Sequence, residues 1–404
     1  MFRSLERDLQ LWKKYGILRG RVSVEPRSTA PVVVILYVGE QGAEKVAASY
    51  VQQRPGAFYF VVPPGAYRIA AFEDHGRAMA YDRSIEPATR YNGGEQVGVV
   101  SGETVDGLDL FLRVDSAERL GFDFVLPDGG EGGLEILPER VVGEVVTLDD
   151  ARFTDEKANA GLWRPAEFLF DVGAGIYFLE PYDDDKTPVL FIHGALGHPG
   201  VWREVVKYID RDRFQPWFAS YPTAASLDVV SAALERWMQE LSFRYGFSRF
   251  YVVGHSMGGL VGRGFVSRMV ERGLVGDDGV ALFVTVATPW QGQAAARMGV
   301  AQAPVVAPSW YDMAPGSEFL SSLWAEPLPP EVPYHLLFTF GSGSMLMRDA
   351  NDGTVTVASQ LLPTAQEEAV QVYGFDAGHG AILRNPAAAE MINRILVAAD
   401  ESDA

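Results

Sequence analysis

The 404-residue chain has no cysteine, which excludes disulfides, thiolate metal sites and a cysteine nucleophile while fitting any redox compartment. Histidine is scarce at six copies, so few imidazoles are available to carry a proton or bind a metal. No apolar run reaches the ~18–20 residues that a membrane-spanning helix needs; the longest, such as residues 31–38, have the length of a strand. Positive charge is in deficit. The 34 Lys and Arg against 53 Asp and Glu leave a net charge of −19, which repels nucleic acid and anionic membrane surfaces and makes a neutral substrate the expectation. With 48% hydrophobic residues, the chain buries at least one large core and is expected to hold two domains.

The chain is organised around Phe250-Tyr-Val-Val-Gly-His-Ser-Met-Gly-Gly-Leu-Val261. Residues 250–253 are β-branched and aromatic, which suits a buried strand, while Leu260, Val261, Phe265 and Val266 continue at helical spacing. The Gly-x-Ser-x-Gly between them puts Ser256 on a tight strand-to-helix turn, where Gly254 and Gly258 have no Cβ to collide. The hydroxyl is then free at a helix N-terminus. There the N–H of Met257 lacks an intrahelical partner and is a candidate donor to an oxyanion formed at Ser256. A glycine-rich turn whose serine merely caps a helix is the alternative, and the strand before and helix after favour a nucleophile.

Residues 2–14 place Phe2, Leu5, Leu9 and Trp12 on one face of a short helix, ringed by Arg3, Arg7, Lys13 and Lys14. Docking onto its own domain is favoured over a peripheral membrane contact, because the stretch is short and the protein acidic. Period-two segments at 17–24, 31–38, 58–62, 67–72 and 108–112, separated by turn signals such as Pro63-Pro64-Gly65, predict an all-β sandwich over residues 17–113. His75 beside Asp74 reads as a solvated turn pair rather than a metal ligand. Residues 114–164 read as a linker, with Pro127-Asp-Gly-Gly-Glu-Gly-Gly133 its most open part. Segments 168–171 and 176–180 look like a hairpin entering the next domain, and Asp183-Asp184-Asp185 reads as a solvated turn rather than a calcium site. From Thr187 onward, strands at 189–193, 214–221, 250–253, 280–286, 334–341 and 369–375 alternate with helices at 201–209, 227–245, after Ser256, and at 382–398. That alternation predicts a mostly parallel sheet covered by helices on both faces, in a domain over residues 165–404.

The Gly-His-Ser-Met-Gly turn within this alternation resembles the α/β-hydrolase fold of serine esterases and lipases, the bacterial lipases in particular. Residues 56–74 resemble the transthyretin-like or carboxypeptidase-regulatory sandwich, with which no catalytic group comes. The first resemblance implies the order serine, acid, histidine, with the histidine after the last strand. His379 occupies that place; His75 lies in the other domain, His193, His255 and His335 sit in or beside strands, and His198 is the modest competitor. Asp352 in Asn351-Asp-Gly-Thr-Val-Thr356 resembles the Asn-Asp-Gly of bacterial lipases, ahead of Asp349 and of Asp376 on the histidine's own loop. His193-Gly194-Ala195-Leu196-Gly197 resembles the lipase His-Gly turn, which implies Ala195 as second oxyanion donor and a structural His193. Pro289-Trp290-Gln291-Gly292 and Gly316-Ser317-Glu318-Phe319-Leu320 also look like lipase loop signatures.

Between those loops, Met298, Val300, Val305, Val306, Trp310, Tyr311 and Met313 point to a lid or an acyl pocket, with Val305 and Trp310 as the substrate-binding candidates; ordinary core packing explains them equally well. Taken together, the resemblance implies a serine hydrolase that cleaves neutral, lipid-like carboxylic esters through an acyl-enzyme on Ser256, without cofactor or metal. An amidase, a thioesterase or an acyltransferase uses the same residues, and a hydrolase-fold binding protein without chemistry usually lacks one of them. Because sandwiches of this type are common in exported proteins, the cell envelope, after removal of an upstream signal segment, is favoured over the cytoplasm.

Overall fold

A computed structural model describes residues 1–40, 42–78, 80–125, 141–341 and 349–401. It divides into one unit of Arg7–Arg140 with Arg236–Gly246, and another of Met1–Glu6, Val141–Glu235 and Phe247–Ala404. Among the described residues, no helix is long and apolar enough to cross a membrane.

In the first unit, alternating apolar residues build two larger sheets, beside a short antiparallel pairing of Ala80–Tyr81 with Phe124–Val125. Strand Gly16–Glu25 pairs antiparallel with Ala57–Val62 and parallel with Leu110–Arg113 and Thr104–Val105. The second sheet runs Lys45–Gln52, Val32–Val38, Gly65–Glu73 and Ala88–Arg90, with Val97–Val99 also against Gly65–Glu73. Leu18 and Val22 of one sheet and Val34, Leu36 and Ile69 of the other enter the same apolar cluster, so the two sheets share a core. Lys45–Gln52 escapes a pattern search because Ala47, Ala48 and Ser49 dilute its alternation. Its last residue closes the following turn: the Gln52 amide donates to the Ala57 carbonyl at 2.7 Å and accepts from the Gly56 N–H at 3.1 Å.

In the second unit an eight-stranded sheet runs Val141–Val145, Gly175–Phe178, Phe214–Ser220, Thr187–Ile192, Phe250–His255, Val280–Val286, Tyr334–Thr339 and Gln371–Phe375. Neighbours are parallel except where Gly175–Phe178 meets Phe214–Ser220. The central strands Phe250–His255 and Val280–Val286 are buried along their whole length, as uninterrupted apolar runs covered on both faces require.

The stretch 141–163, read from composition as linker, instead supplies the edge strand Val141–Val145 and the helix Asp155–Trp163. Gly143 and Glu144 make the strand look like loop, yet an edge strand with a polar side tolerates both. The helix starts at Thr154, whose hydroxyl accepts from the Lys157 N–H at 3.3 Å. Residues 127–133 lie outside the described residues. Residues 168–171, expected as a hairpin strand, belong to helix Pro165–Asp171, which Pro165 opens at a position where its missing N–H costs nothing. The predicted helix at 382–398 is a 3-10 turn, Ala381–Arg384, followed by helix Pro386–Glu401, with Asn385 Oδ1 accepting from the Ala387 N–H at 3.0 Å.

Helix Met257–Glu271, which follows Ser256, is fixed by a buried cation. The Arg263 side chain is fully buried; its Nε donates to the Leu323 carbonyl at 3.0 Å, its Nη2 to the Glu326 carbonyl at 3.1 Å, and it pairs with the Glu368 carboxylate. The Trp324 ring lies 4.7 Å from the guanidinium. Truncating one partner of such a pair strands the other charge. Arg263→Ala is therefore expected to cost about 3–5 kcal/mol in denaturant unfolding. A loss under about 1 kcal/mol would contradict this anchoring role.

Candidate active site

Ser256 sits between strand Phe250–His255 and helix Met257–Glu271 with φ 55° and ψ −127°, a conformation that few side-chain-bearing residues adopt. Neighbouring backbone holds it there. Its N–H donates to the Val286 carbonyl at 2.8 Å, and its carbonyl accepts from the Gly259 N–H at 2.9 Å. The flanking glycines are required by contact. A Cβ on Gly254 would lie 2.6 Å from the Gly258 carbonyl oxygen, and one on Gly258 would lie 2.2 Å from that of Ile192.

Two loops bring the other chemistry to this turn. His379, after strand Gln371–Phe375, places Nε2 2.7 Å from Ser256 Oγ and Nδ1 2.8 Å from Asp352 Oδ2. The two loops are also tied by backbone, the His379 N–H donating to the Asp352 carbonyl at 2.9 Å. Asp352 Oδ2 accepts further bonds from Thr339 Oγ1 at 2.6 Å and Gln360 Nε2 at 3.1 Å, and Oδ1 accepts from the Thr354 and Val355 N–H groups at 3.0 and 2.7 Å. Burial pushes this carboxyl up, but the bonds to His379, Thr339 and Val355 outweigh it and leave the group below its ordinary range. An ionised Asp352 accepts the Nδ1 proton of His379, so Nε2 faces the serine hydroxyl as an acceptor.

The rival residues lie elsewhere. Asp349 is exposed, and its carbonyl accepts from the Asn351 side chain at 2.7 Å. Asp376 packs against Gly341. His198 is occupied at a chain turn, its Nδ1 accepting from the Gly200 N–H at 3.1 Å and its Nε2 lying 3.4 Å from Asp155.

The His193-Gly194-Ala195 turn lies against the serine: a Cβ on Gly194 would come 2.8 Å from the Ser256 Cβ. Leu196 at φ 55° and a Gly197 N–H to Gly194 carbonyl bond of 3.0 Å shape the turn. His193 is held within it, Nδ1 2.9 Å from the Gly194 carbonyl oxygen, ring stacked on Tyr221, and carbonyl accepting from the Tyr221 hydroxyl. Met257 opens the following helix, where the first N–H groups have no carbonyl one turn back.

Val305 and Trp310 are half-buried. Trp310 packs edge-on to Trp163 at 5.8 Å and against Gly299, where a Cβ would lie 2.6 Å from its ring. Met298 and Tyr311 in the same segment are exposed. Sequence reasoning missed Thr339 and Gln360 altogether. A hydroxyl ending the apolar strand Tyr334–Thr339 was the one available sign of the first; nothing marked the second. Among the described residues, the one acidic trio able to hold a cation is Asp183, Asp184 and Asp185, whose Asp183 already pairs with Lys186 at 3.6 Å.

A family model described as alpha/beta hydrolase fold matches residues 187–304. No curated protein matches the chain. Among solved structures the chain is similar to the mature lipase BlEst2 of Bacillus licheniformis, with 18% identity and a TM-score of 0.45 over 55% of this chain and 97% of that one. It is similar also to the lin2722 product of Listeria innocua, with 19% identity and a TM-score of 0.40 over 52% and 94%. The NocB thioesterase domain from the nocardicin cluster gives 18% identity and a TM-score of 0.34 over 55% and 98%. The strand order and the match at 187–304 give the second unit the α/β-hydrolase fold, and Ser256, Asp352 and His379 meet on loops at the ends of its strands.

Four histidines are depressed below 6.5 by burial: His193 to about 4, His255 to about 3, and His198 and His335 in direction. Their folded values lie below the unfolded one, so between the two the unfolded chain binds more protons. Stability is full above pH ~6.5 and falls as the pH drops through the folded values. The thermal midpoint is expected to decline steadily from pH 7 to pH 5 in constant-salt buffers, and a flat or rising profile would contradict the burial of neutral imidazoles.

Proposed function

We propose that the protein is a serine hydrolase that cleaves carboxylic esters through an acyl-enzyme on Ser256. The observation that carries this reading is the single imidazole of His379 joined to Ser256 Oγ at 2.7 Å and to Asp352 at 2.8 Å. Ser256 Oγ attacks the ester carbonyl carbon while His379 Nε2 takes the hydroxyl proton, and Asp352 stabilises the resulting imidazolium. The negative oxygen of the tetrahedral intermediate accepts from the N–H groups of Met257 and Ala195. Collapse breaks the bond to the alcohol, which leaves with the proton from His379. Water, deprotonated by the same imidazole, then attacks the acyl carbon and releases the acid with Ser256 restored. The same residues serve amides, thioesters or an acyl acceptor other than water, and the pocket and leaving group decide among them.

The substrate is read as a neutral, lipid-like ester. A net charge of −19 opposes anionic esters, and residues 294–315 supply apolar side chains for an acyl chain, Val305 and Trp310 foremost. The two larger sheets of the first unit are read as a transthyretin-like or carboxypeptidase-regulatory sandwich, with which no catalytic group comes.

Asp352→Asn is expected to cut kcat by ~10⁴-fold with little change in KM, because a neutral amide supports neither the tautomer nor the imidazolium. Asp349→Asn should stay close to wild type in the same ester assay; the reverse pattern would move the acid to Asp349. Across esters of increasing acyl length, kcat/KM should rise by up to ~4-fold per CH₂, equivalent to ~0.8 kcal/mol, until the pocket fills. Val305→Ser with Trp310→Ser should flatten that profile. An unchanged profile accompanied by lost stability would assign both residues to the core.

A further inference from the structure

His255, the residue before the serine, takes no part in the steps above. Its ring is nearly fully buried and lies against two parts of the site, His379 and the His193-Gly194-Ala195 turn. Nε2 lies 3.0 Å from the carbonyl oxygen of His379. On the opposite edge, a Cβ built on Gly194 would lie 3.4 Å from Nδ1, so the His193-Gly194-Ala195 turn packs there. The ring centroid is 5.1 Å from that of His379, and Trp202 meets it edge-on at 6.4 Å.

A carbonyl oxygen only accepts, so Nε2 of His255 carries the proton and the tautomer is fixed. Because the His379 N–H already donates to the Asp352 carbonyl at 2.9 Å, the backbone of His379 is pinned at both its amide and its carbonyl. One tether runs to the acid's loop and the other to the residue adjoining the nucleophile. Burial, reinforced by the nearby His379, pushes His255 down to about 3, so it stays neutral beside an imidazole that must become cationic.

We propose that His255 is a positioning residue, whose Nε2–H holds the His379 carbonyl so that the His379 ring keeps hydrogen-bond reach to Ser256 Oγ. This role rests on the serine hydrolase reading above. A displacement of about 1 Å at a reacting group costs on the order of 100-fold in rate, so the effect belongs in turnover rather than in substrate binding.

The test compares His255→Phe, which keeps a ring and loses the donor, with His255→Gln, which keeps an N–H, in hydrolysis of p-nitrophenyl butyrate. His255→Phe is expected to lower kcat by ~10–100-fold with KM within about twofold, and His255→Gln to recover a large part of that loss. A His255→Phe enzyme with wild-type kcat, or two variants impaired alike at equal thermal midpoints, would overturn the proposal. Should His255→Phe fail to fold, ¹⁵N-histidine NMR of the wild-type protein decides: a protonated Nε2 on His255 supports the bond, and a protonated Nδ1 overturns it. Ser256→Ala runs beside these variants. Retained turnover there would sink the serine hydrolase reading itself, a failure distinct from any result at His255, whose tautomer is read without turnover.

Discussion

The site depends on keeping one carboxylate ionised inside the protein. The Asp352 side chain has no exposure, and a lone ion in that setting loses several kcal/mol of hydration. Here each oxygen is supplied with donors: the Thr354 and Val355 N–H groups for Oδ1, and Thr339, Gln360 and His379 for Oδ2. Gln360 is itself locked, its amide donating to the Thr339 carbonyl at 3.0 Å and accepting from the Thr339 N–H at 2.8 Å. Those neutral donors leave one cationic partner to be made during a reaction, the imidazolium of His379. The charge that orients His379 is therefore also the charge that favours proton transfer to it.

A second constraint is geometric. Ser256 stands in a backbone conformation costing about 1–3 kcal/mol, which persists only because the surrounding chain leaves no alternative. Strands Thr187–Ile192 and Val280–Val286 flank the turn so closely that Gly258 meets the Ile192 carbonyl and the Ser256 N–H is taken by Val286. On the far side, the buried Arg263–Glu368 pair fixes the helix whose N-terminus faces the serine. The strain is thus held by sheet and helix rather than by a loop, which keeps the hydroxyl in place.

The turn at Ser256 was legible because close backbone approach demands glycine at fixed offsets, and helix Leu227–Tyr245 because nothing interrupts its period. His379 and Asp352 became readable only through the resemblance, since His379 lies 123 residues from Ser256 and 27 from Asp352 in sequence. Short apolar stretches misled. Phe168-Leu169-Phe170 is too brief for period to separate strand from helix, and Pro165 decided it. The edge strand Val141–Val145 hid behind Gly143 and Glu144, which a sheet edge accepts. Gln360 and His255 could not be read at all, because their roles arise from where the fold carries them and not from any local pattern.

The most direct measurement is the site of covalent reaction with a fluorophosphonate, which traps a serine only when its oxygen is activated by a neighbouring base. Intact-mass and peptide analysis should find one adduct per chain, on Ser256, and none in a folded Ser256→Ala protein. A folded wild-type protein that forms no adduct, or one modified at another residue, would contradict the claim that Ser256 is a nucleophile.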